Sequence, residues 1–340
     1  FRQQQLQQHG QYCQQQQLRQ YGQQLRQQLQ QRGGISAGRN TRQEIEMKRD
    51  EFQALASGRL LYLDGATGSN LMKKGMPRNV CTEAWILEHE ETMAELQRQY
   101  RDAGSDILYA PTFAANRISL KKHGLEGEVE KLNRGLVEAS RRAVGDEVLL
   151  AGDMTTTGEL LEPLGELTEE ELLEAYREQA AVLAKAGVDL LVAETMLSVA
   201  ETSVALRAAR EETDLPVLCT LTVQEDGRAL FGGTAAEAVE VLQEQGASAV
   251  GVNCSVGPDQ LLGVVESMKK AAKVPLIVKP NAGIPVTDSR GNSVYPMTPE
   301  KFAEHMKRLA EAGAGILGGC CGTTPEHIRL LRQETGAGRD

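Results

Sequence analysis

The sequence predicts an α/β protein folded as a (β/α)8 TIM barrel, and three observations predict it. One unit keeps returning from Arg59 onward: an amphipathic helix, a glycine, then a short apolar strand. The strands are uninterrupted apolar runs, as parallel strands buried on both faces are. Eight of them alternate with helical patterns within 340 residues, the size such a barrel needs.

In chain order the predicted strands are Leu60–Asp64, Ile107–Ala110, Val148–Asp153, Leu190–Glu194, Val217–Thr222, Ala249–Cys254, Leu276–Lys279 and Ile316–Cys320. The glycine of the repeat falls at Gly104, Gly187, Gly246 and Gly313. Each fits a left-handed helix C-cap, where a side chain would be penalised. The clearest helix is Thr168–Ala186, whose Thr168 and Glu171 stand at capping-box spacing. A doubly wound open sheet is the competing architecture, but no GxGxxG follows the first strand.

Ahead of the repeat, residues 1–34 are dominated by glutamine. Such a tract lacks the apolar surface to fold alone, so residues 1–46 read as a disordered extension and 47–340 as the barrel domain. The chain starts at Phe1, and Met47-Lys48-Arg49-Asp50 looks like a more ordinary beginning, which makes the head an expected upstream extension.

Charge and composition remove several function classes. The formal net charge is -10, which argues against a nucleic-acid partner. Six of the 37 basic residues and two of the 47 acidic ones lie in residues 1–46, so the remainder carries a net charge of -14. No apolar run approaches a membrane span, and no signal peptide is visible. Six cysteines in so long a chain are no disulfide framework, and a reducing cytoplasm suits thiolate ligands.

Barrel active sites lie at the C-terminal ends of the strands. Here those ends carry Asp64, Asp153, Glu194, Asn253-Cys254, Lys279 with Asn281, and Cys320-Cys321. The adjacent cysteines of Gly318-Gly319-Cys320-Cys321-Gly322 are poorly placed for a disulfide with each other. Glycines on both sides permit backbone angles closed to other residues, so both thiolates can face one ion. Zinc takes four such ligands, or three with an open position. Cys254 is the best third ligand, since it closes the sixth strand and the pair closes the eighth. The alternative is a pair of small buried residues beside a tight turn. Cys219, inside the fifth strand, and Cys81, in an early loop, read as packing or surface thiols.

These residues bring a family into view. The chain resembles the homocysteine S-methyltransferase family, and within it the homocysteine-binding domain of cobalamin-dependent methionine synthases. The resemblance rests on Leu63-Asp64-Gly65-Ala66-Thr67-Gly68, Thr112-Phe113 with Asn116, and Thr157-Gly158-Glu159. It continues through Glu194-Thr195, Gly251-Val252-Asn253-Cys254, Pro280-Asn281-Ala282-Gly283 and Gly318-Gly319-Cys320-Cys321-Gly322-Thr323-Thr324-Pro325.

The resemblance implies that Cys254, Cys320 and Cys321 hold Zn2+ and that the homocysteine thiol takes the open position as a thiolate. Methylation to methionine follows, from a methylcorrinoid (methylcobalamin) on a partner protein or domain. It also implies that Glu194, with Thr195 beside it among the substrate-binding residues, binds the substrate ammonium, and that Asp64, Gly65 and Ala66 fix the amino-acid end. The alternatives are a local ion pair for Glu194 and a turn cap for Asp64, and Asn253 either orients a cysteine ligand at the substrate site or forms a turn. Two departures lie on the rim where the donor approaches. Ala110-Pro111-Thr112-Phe113 stands where methionine synthases commonly read Asn-Thr-Phe, and Asp153-Met154-Thr155-Thr156 replaces the usual Gly-Pro turn. Neither touches the zinc ligands, so they bear on the donor, which could instead be S-methylmethionine or a betaine. Rival readings are a Schiff-base aldolase using Lys279 and a non-catalytic zinc-binding partner module. No cobalamin-binding segment follows Ile328, so such a domain would be a separate protein or another piece of a longer one.

Overall fold

The computed structural model describes residues 47–336 other than 164, 255 and 290–292. The Gln-rich extension expected over residues 1–46 lies outside them.

Eight parallel strands form one sheet: β1 (Leu61–Tyr62), β2 (Ile107–Ala110), β3 (Leu149–Thr155), β4 (Leu190–Met196), β5 (Val217–Leu221), β6 (Ala249–Cys254), β7 (Leu276–Pro280) and, after a small hairpin, β10 (Ile316–Leu317). Its order is β1-β10-β7-β6-β5-β4-β3-β2. The two ends meet through a parallel bridge between Leu63 and Ile107, so the sheet closes into a (β/α)8 barrel rather than the doubly wound alternative. The hairpin, β8 (Val286–Thr287) with β9 (Ser293–Val294), is an exposed excursion between β7 and helix Pro299–Glu311 that periodicity does not announce.

Strand residues alternate between lumen and helix layer. Leu61, Leu63, Ile107, Tyr109, Leu149, Ala151, Leu190 and Val192 fill the lumen. Their neighbours Tyr62, Leu108, Leu150 and Leu191 pack against the helices, as does Cys219. Both faces are apolar, which is why the strands read as unbroken runs. Helix Arg49–Gly58 adds Phe52, Leu55 and Ala56 to the lumen cluster. Arg49 donates to Gly246 O (2.7 Å) and Gln53 to Ser248 O (2.6 Å), both at the N-terminal end of β6. This helix therefore plugs the N-terminal mouth and leaves the opposite mouth for ligands.

The local signals hold where they rest on stereochemistry. Thr168 caps helix Glu169–Ala186 in a full capping box, and Gly187 ends it at φ 87°. Gly104, Gly246 and Gly313 also have positive φ. Boundaries shift at the site end. β3 runs on to Thr155 and β4 to Met196, past the expected Asp153 and Glu194. β10 stops at Leu317, short of the expected Cys320. Beyond it the backbone still donates, from Gly318 N to Val278 O (3.0 Å) and Cys320 N to Pro280 O (2.7 Å), but no longer as a regular ladder. Likewise β1 ends before Asp64, which leaves the ladder so that its side chain can accept from Tyr109 N (2.8 Å).

Candidate functional site

The alternation that fills the lumen also decides which polar side chains reach the site. Continuing the inward parity of β3, β4, β6 and β7 beyond the apolar layers gives Asp153, Glu194, Asn253 and Lys279. These four form the top layer of the barrel, and all are buried. Above them opens a cavity of about 1240 Å³, lined by Asp64, Asp153, Glu194, Lys279 and three cysteines.

The cysteines are Cys254, Cys320 and Cys321, and their sulfurs all lie within 4.8 Å of one another. Cys254 Sγ is 4.0 Å from Cys321 Sγ. Cys254 would break the inward parity of β6, but its φ of 57° lies in the left-handed region that non-glycine residues rarely adopt. Hydrogen bonds from Cys254 and Cys320 push the Cys321 thiol down to about 3, while contacts with Cys320 and Cys321 push Cys254 up. Three half-buried soft donors at the floor of an open cavity fit a zinc ion that keeps one position for a ligand.

The glycines around the cysteine pair serve close approach more than unusual backbone angles. A Cβ on Gly318 would stand 2.7 Å from Leu63 Cβ and 3.0 Å from Asp64 O, where β10 meets β1. One on Gly319 would stand 2.5 Å from Thr323 Oγ1. Only Gly322 has positive φ, 82°, and it packs under the Tyr295 ring.

Asn253 lies beneath the cysteines. Its Oδ1 accepts from Thr195 N (3.0 Å) and its Nδ2 donates to Thr195 Oγ1 (2.7 Å). Nδ2 also makes a long 3.9 Å contact to Cys320 Sγ. Thr195, at φ 57°, is thus clamped to the residue next to a thiol. Ala66 N donates to Thr323 Oγ1 (3.1 Å), and Gly65 is wedged between Tyr100 and Thr323. The first loop is thereby tied to the cysteine segment.

Lys279 organises the carboxylates. Its Nζ lies 3.1 Å from Glu194 Oε1 and 3.6 Å from Asp64 Oδ1, and 4.8 Å from the centre of the Tyr109 ring. Burial works against the lysine charge, yet Glu194 and Asp64 hold its pKa well above the usual range. Burial pushes Asp64 up to about 6 against the pull of Lys279, and raises Glu194 in the same way. Asp153 is pushed well above the carboxylate range by burial and by the Glu194 charge. Every expected site residue thus lies in or beside one cavity. Sequence reasoning weighs Lys279 as a salt-bridge partner, which the structure bears out, but gives no role to Asp153 or Tyr109. Their inward parity was the signal that could have found them.

Comparison with known proteins agrees with this geometry. A family model described as homocysteine S-methyltransferase matches residues 61–335. The methionine synthase of Mycobacterium leprae (strain TN) is 30% identical over 300 residues, covering 82% of this chain and 24% of that protein. That of Mycobacterium tuberculosis (strain ATCC 25618 / H37Rv) is 28% identical over 292 residues, covering 80% and 24%. The chain spans about a quarter of the length of these curated relatives. Among solved structures, the metallated form of the homocysteine methyltransferase MmuM from Escherichia coli superposes with a TM-score of 0.69 at 22% identity, over 83% of this chain and 99% of that one. A methyltransferase from Methanosarcina mazei gives a TM-score of 0.59 at 14% identity, over 86% and 99%. At those identities the superpositions speak for the fold alone. The family match is the stronger statement, since it runs from the first barrel strand into the last helix and takes in all three rim cysteines: the chain belongs to the homocysteine S-methyltransferase family.

Proposed function

We propose that this domain binds homocysteine at the rim cavity and methylates its sulfur to give methionine, with Zn2+ held by Cys254, Cys320 and Cys321. The observation that carries the reading is the convergence of three thiols from two strand ends within 4.8 Å, beside buried carboxylates. A free thiol is mostly protonated at neutral pH, and zinc supplies the Lewis acidity that lets the substrate sulfur lose its proton. The chain's own residues do the rest. Glu194 offers a carboxylate to the substrate ammonium, with Lys279 holding it in place. Asn253 and Thr195 fix the backbone that carries Cys254. Asp64, Gly65 and Ala66 form the wall for the amino-acid end, stiffened by Tyr100 and Thr323. Thiolate ligands suit a reducing, cytoplasmic setting.

For the donor, a methylcorrinoid presented by a partner protein or domain is favoured. The cavity of about 1240 Å³ exceeds what a small amino acid needs. Apolar side chains are also exposed on the same rim, at Leu230 and Phe231 after β5 and at Ile284, Val286 and Val294 after β7, which suits a macromolecular donor. A betaine calls for an aromatic cage. Trp85 stacks on His89 away from the cavity lining, and of the three Phe and Tyr rings that line the cavity Tyr109 already faces Lys279 and Tyr295 packs on Gly322, which leaves Phe113. Schiff-base chemistry at Lys279 is disfavoured because its ion pairs keep the amine protonated. A non-catalytic zinc module would have no use for buried carboxylates at the metal's side.

The test is a donor panel of methylcobalamin, S-methylmethionine and betaine assayed against homocysteine, with zinc measured in the same preparation. Methionine formed from methylcobalamin by zinc-loaded protein is the expected result. Zinc-loaded protein that transfers no methyl group and binds no homocysteine would overturn the reading.

A further inference from the structure

Three carboxylates meet one lysine in the top layer of the barrel, and the account does not balance. Lys279 Nζ serves Glu194 (3.1 Å) and Asp64 (3.6 Å). It forms no ion pair with Asp153, although Asp153 is only 5% exposed and lines the same cavity. Asp153 Oδ1 is buried and has no hydrogen-bond partner among the described residues. A buried polar oxygen without a partner costs roughly 1–3 kcal/mol, so such a group in a native site calls for an explanation.

Slack in the backbone does not provide one. Asp153 N donates to Thr112 Oγ1 (3.0 Å) and Asp153 O accepts from the same hydroxyl (2.8 Å), so Thr112 clamps the residue from both sides. Thr112 is itself fully buried. The backbone of Asp153 is thus held at the cavity wall while its carboxyl Oδ1 is left without a partner, which is the arrangement of a ligand contact.

The missing partner has a definable chemistry. Lys279 neutralises one of the two carboxylates it touches, so the group still needed is a second cation carrying N–H donors. Either protonation state of a carboxyl keeps an oxygen able to accept from such a donor.

We propose that Asp153 is a second acceptor for the substrate ammonium, bracketing it with Glu194 and selecting α-amino thiols over thiols that lack the amine. This rests on the proposed homocysteine reading and deepens it. Asp153 is a specificity-determining residue, and Thr112 is the positioning residue that aims it. Thr112, which the chain shares with the family pattern, thereby clamps the stretch that departs from it at Asp153-Met154-Thr155.

Isothermal titration of the full-length, zinc-loaded chain tests it with two ligands, homocysteine and its amine-free analogue 4-sulfanylbutanoate. Asp153→Asn keeps the shape and takes away the carboxylate that a docked ammonium would stabilise. It should weaken homocysteine binding about tenfold while leaving the analogue within about twofold of wild type, since a charge-assisted bond is about twice as strong as a neutral one. No loss for homocysteine, or an equal loss for both ligands, would overturn the proposal. If Asp153→Asn does not fold, Glu194→Gln decides. With Asp153 still in place that variant should keep a preference for homocysteine over the analogue, and a vanished preference would overturn the assignment. Wild-type protein that binds no homocysteine overturns the function reading together with this one, whereas wild-type binding with an indifferent Asp153→Asn overturns this one alone.

Discussion

At the scale of single residues, the site is a study in buried charge. Asp64 has one carboxylate oxygen in the barrel seam, accepting from Tyr109 N, and the other 3.6 Å from Lys279. Burial dominates, and its pKa rises from 3.8 to about 6. The folded state therefore holds the proton more tightly than the unfolded chain. Stability contributed by this group is fully present below about pH 4 and is lost as pH rises to about 6. At 1.36 kcal/mol per pKa unit the effect is on the order of 3 kcal/mol. Asp64→Asn should remove it, so the unfolding free energy of metal-free wild type, measured against that of the variant, should fall across this window. A difference that rises or stays flat would show that Lys279 outweighs burial.

At the scale of elements, the end of β10 is where the thiols are aimed. Gly318 lets this strand approach β1 closely enough for Gly319 N to donate to Asp64 O (3.0 Å). Gly318→Ala places a methyl group 2.7 Å from Leu63 Cβ and must spread the seam. It should cost about 1–3 kcal/mol, as overpacking does, and weaken zinc binding because Cys320 and Cys321 move with the backbone. Gly315→Ala lies just before the same strand with no atom within 4 Å of the new Cβ, and should change little. Equal behaviour of the two variants in thermal melts and zinc titrations would show that crowding at the seam is not what the glycine relieves.

At the scale of the whole molecule, the barrel owes its stability to two apolar shells and the site to a small polar cap. The lumen is filled from Ile107 to Ile316 and plugged below by Phe52, all fully buried. Removing zinc should therefore leave the helical spectrum at 25 °C intact. It should lower the melting temperature reversibly, because a ligand that binds only the folded state stabilises it by mass action. Cys254→Ala should match the chelated protein: folded, lower melting, and without tight zinc. Full zinc retention in Cys254→Ala would remove that residue from the site. No helix among the described residues is long and apolar enough to cross a membrane.

Much of this was written in local chemistry. The helix–glycine–strand unit, the capping box at Thr168 and the left-handed glycines depend on neighbours a few residues apart, so the sequence alone determines them. The barrel followed, because eight apolar strands with helices between them have few ways to bury both faces. The cysteine triad was legible too, since three soft donors at strand ends share one rim in any such barrel. Tertiary structure decided what depends on register and desolvation. The closing bridge from Leu63 to Ile107, the pairing of Lys279 with Glu194 and Asp64, and the isolation of Asp153 join residues dozens to hundreds of positions apart. No local pattern states which carboxylate a buried lysine reaches. Parity along a strand says which residues point inward, but only the closed barrel fixes which of them meet and which is left for a ligand.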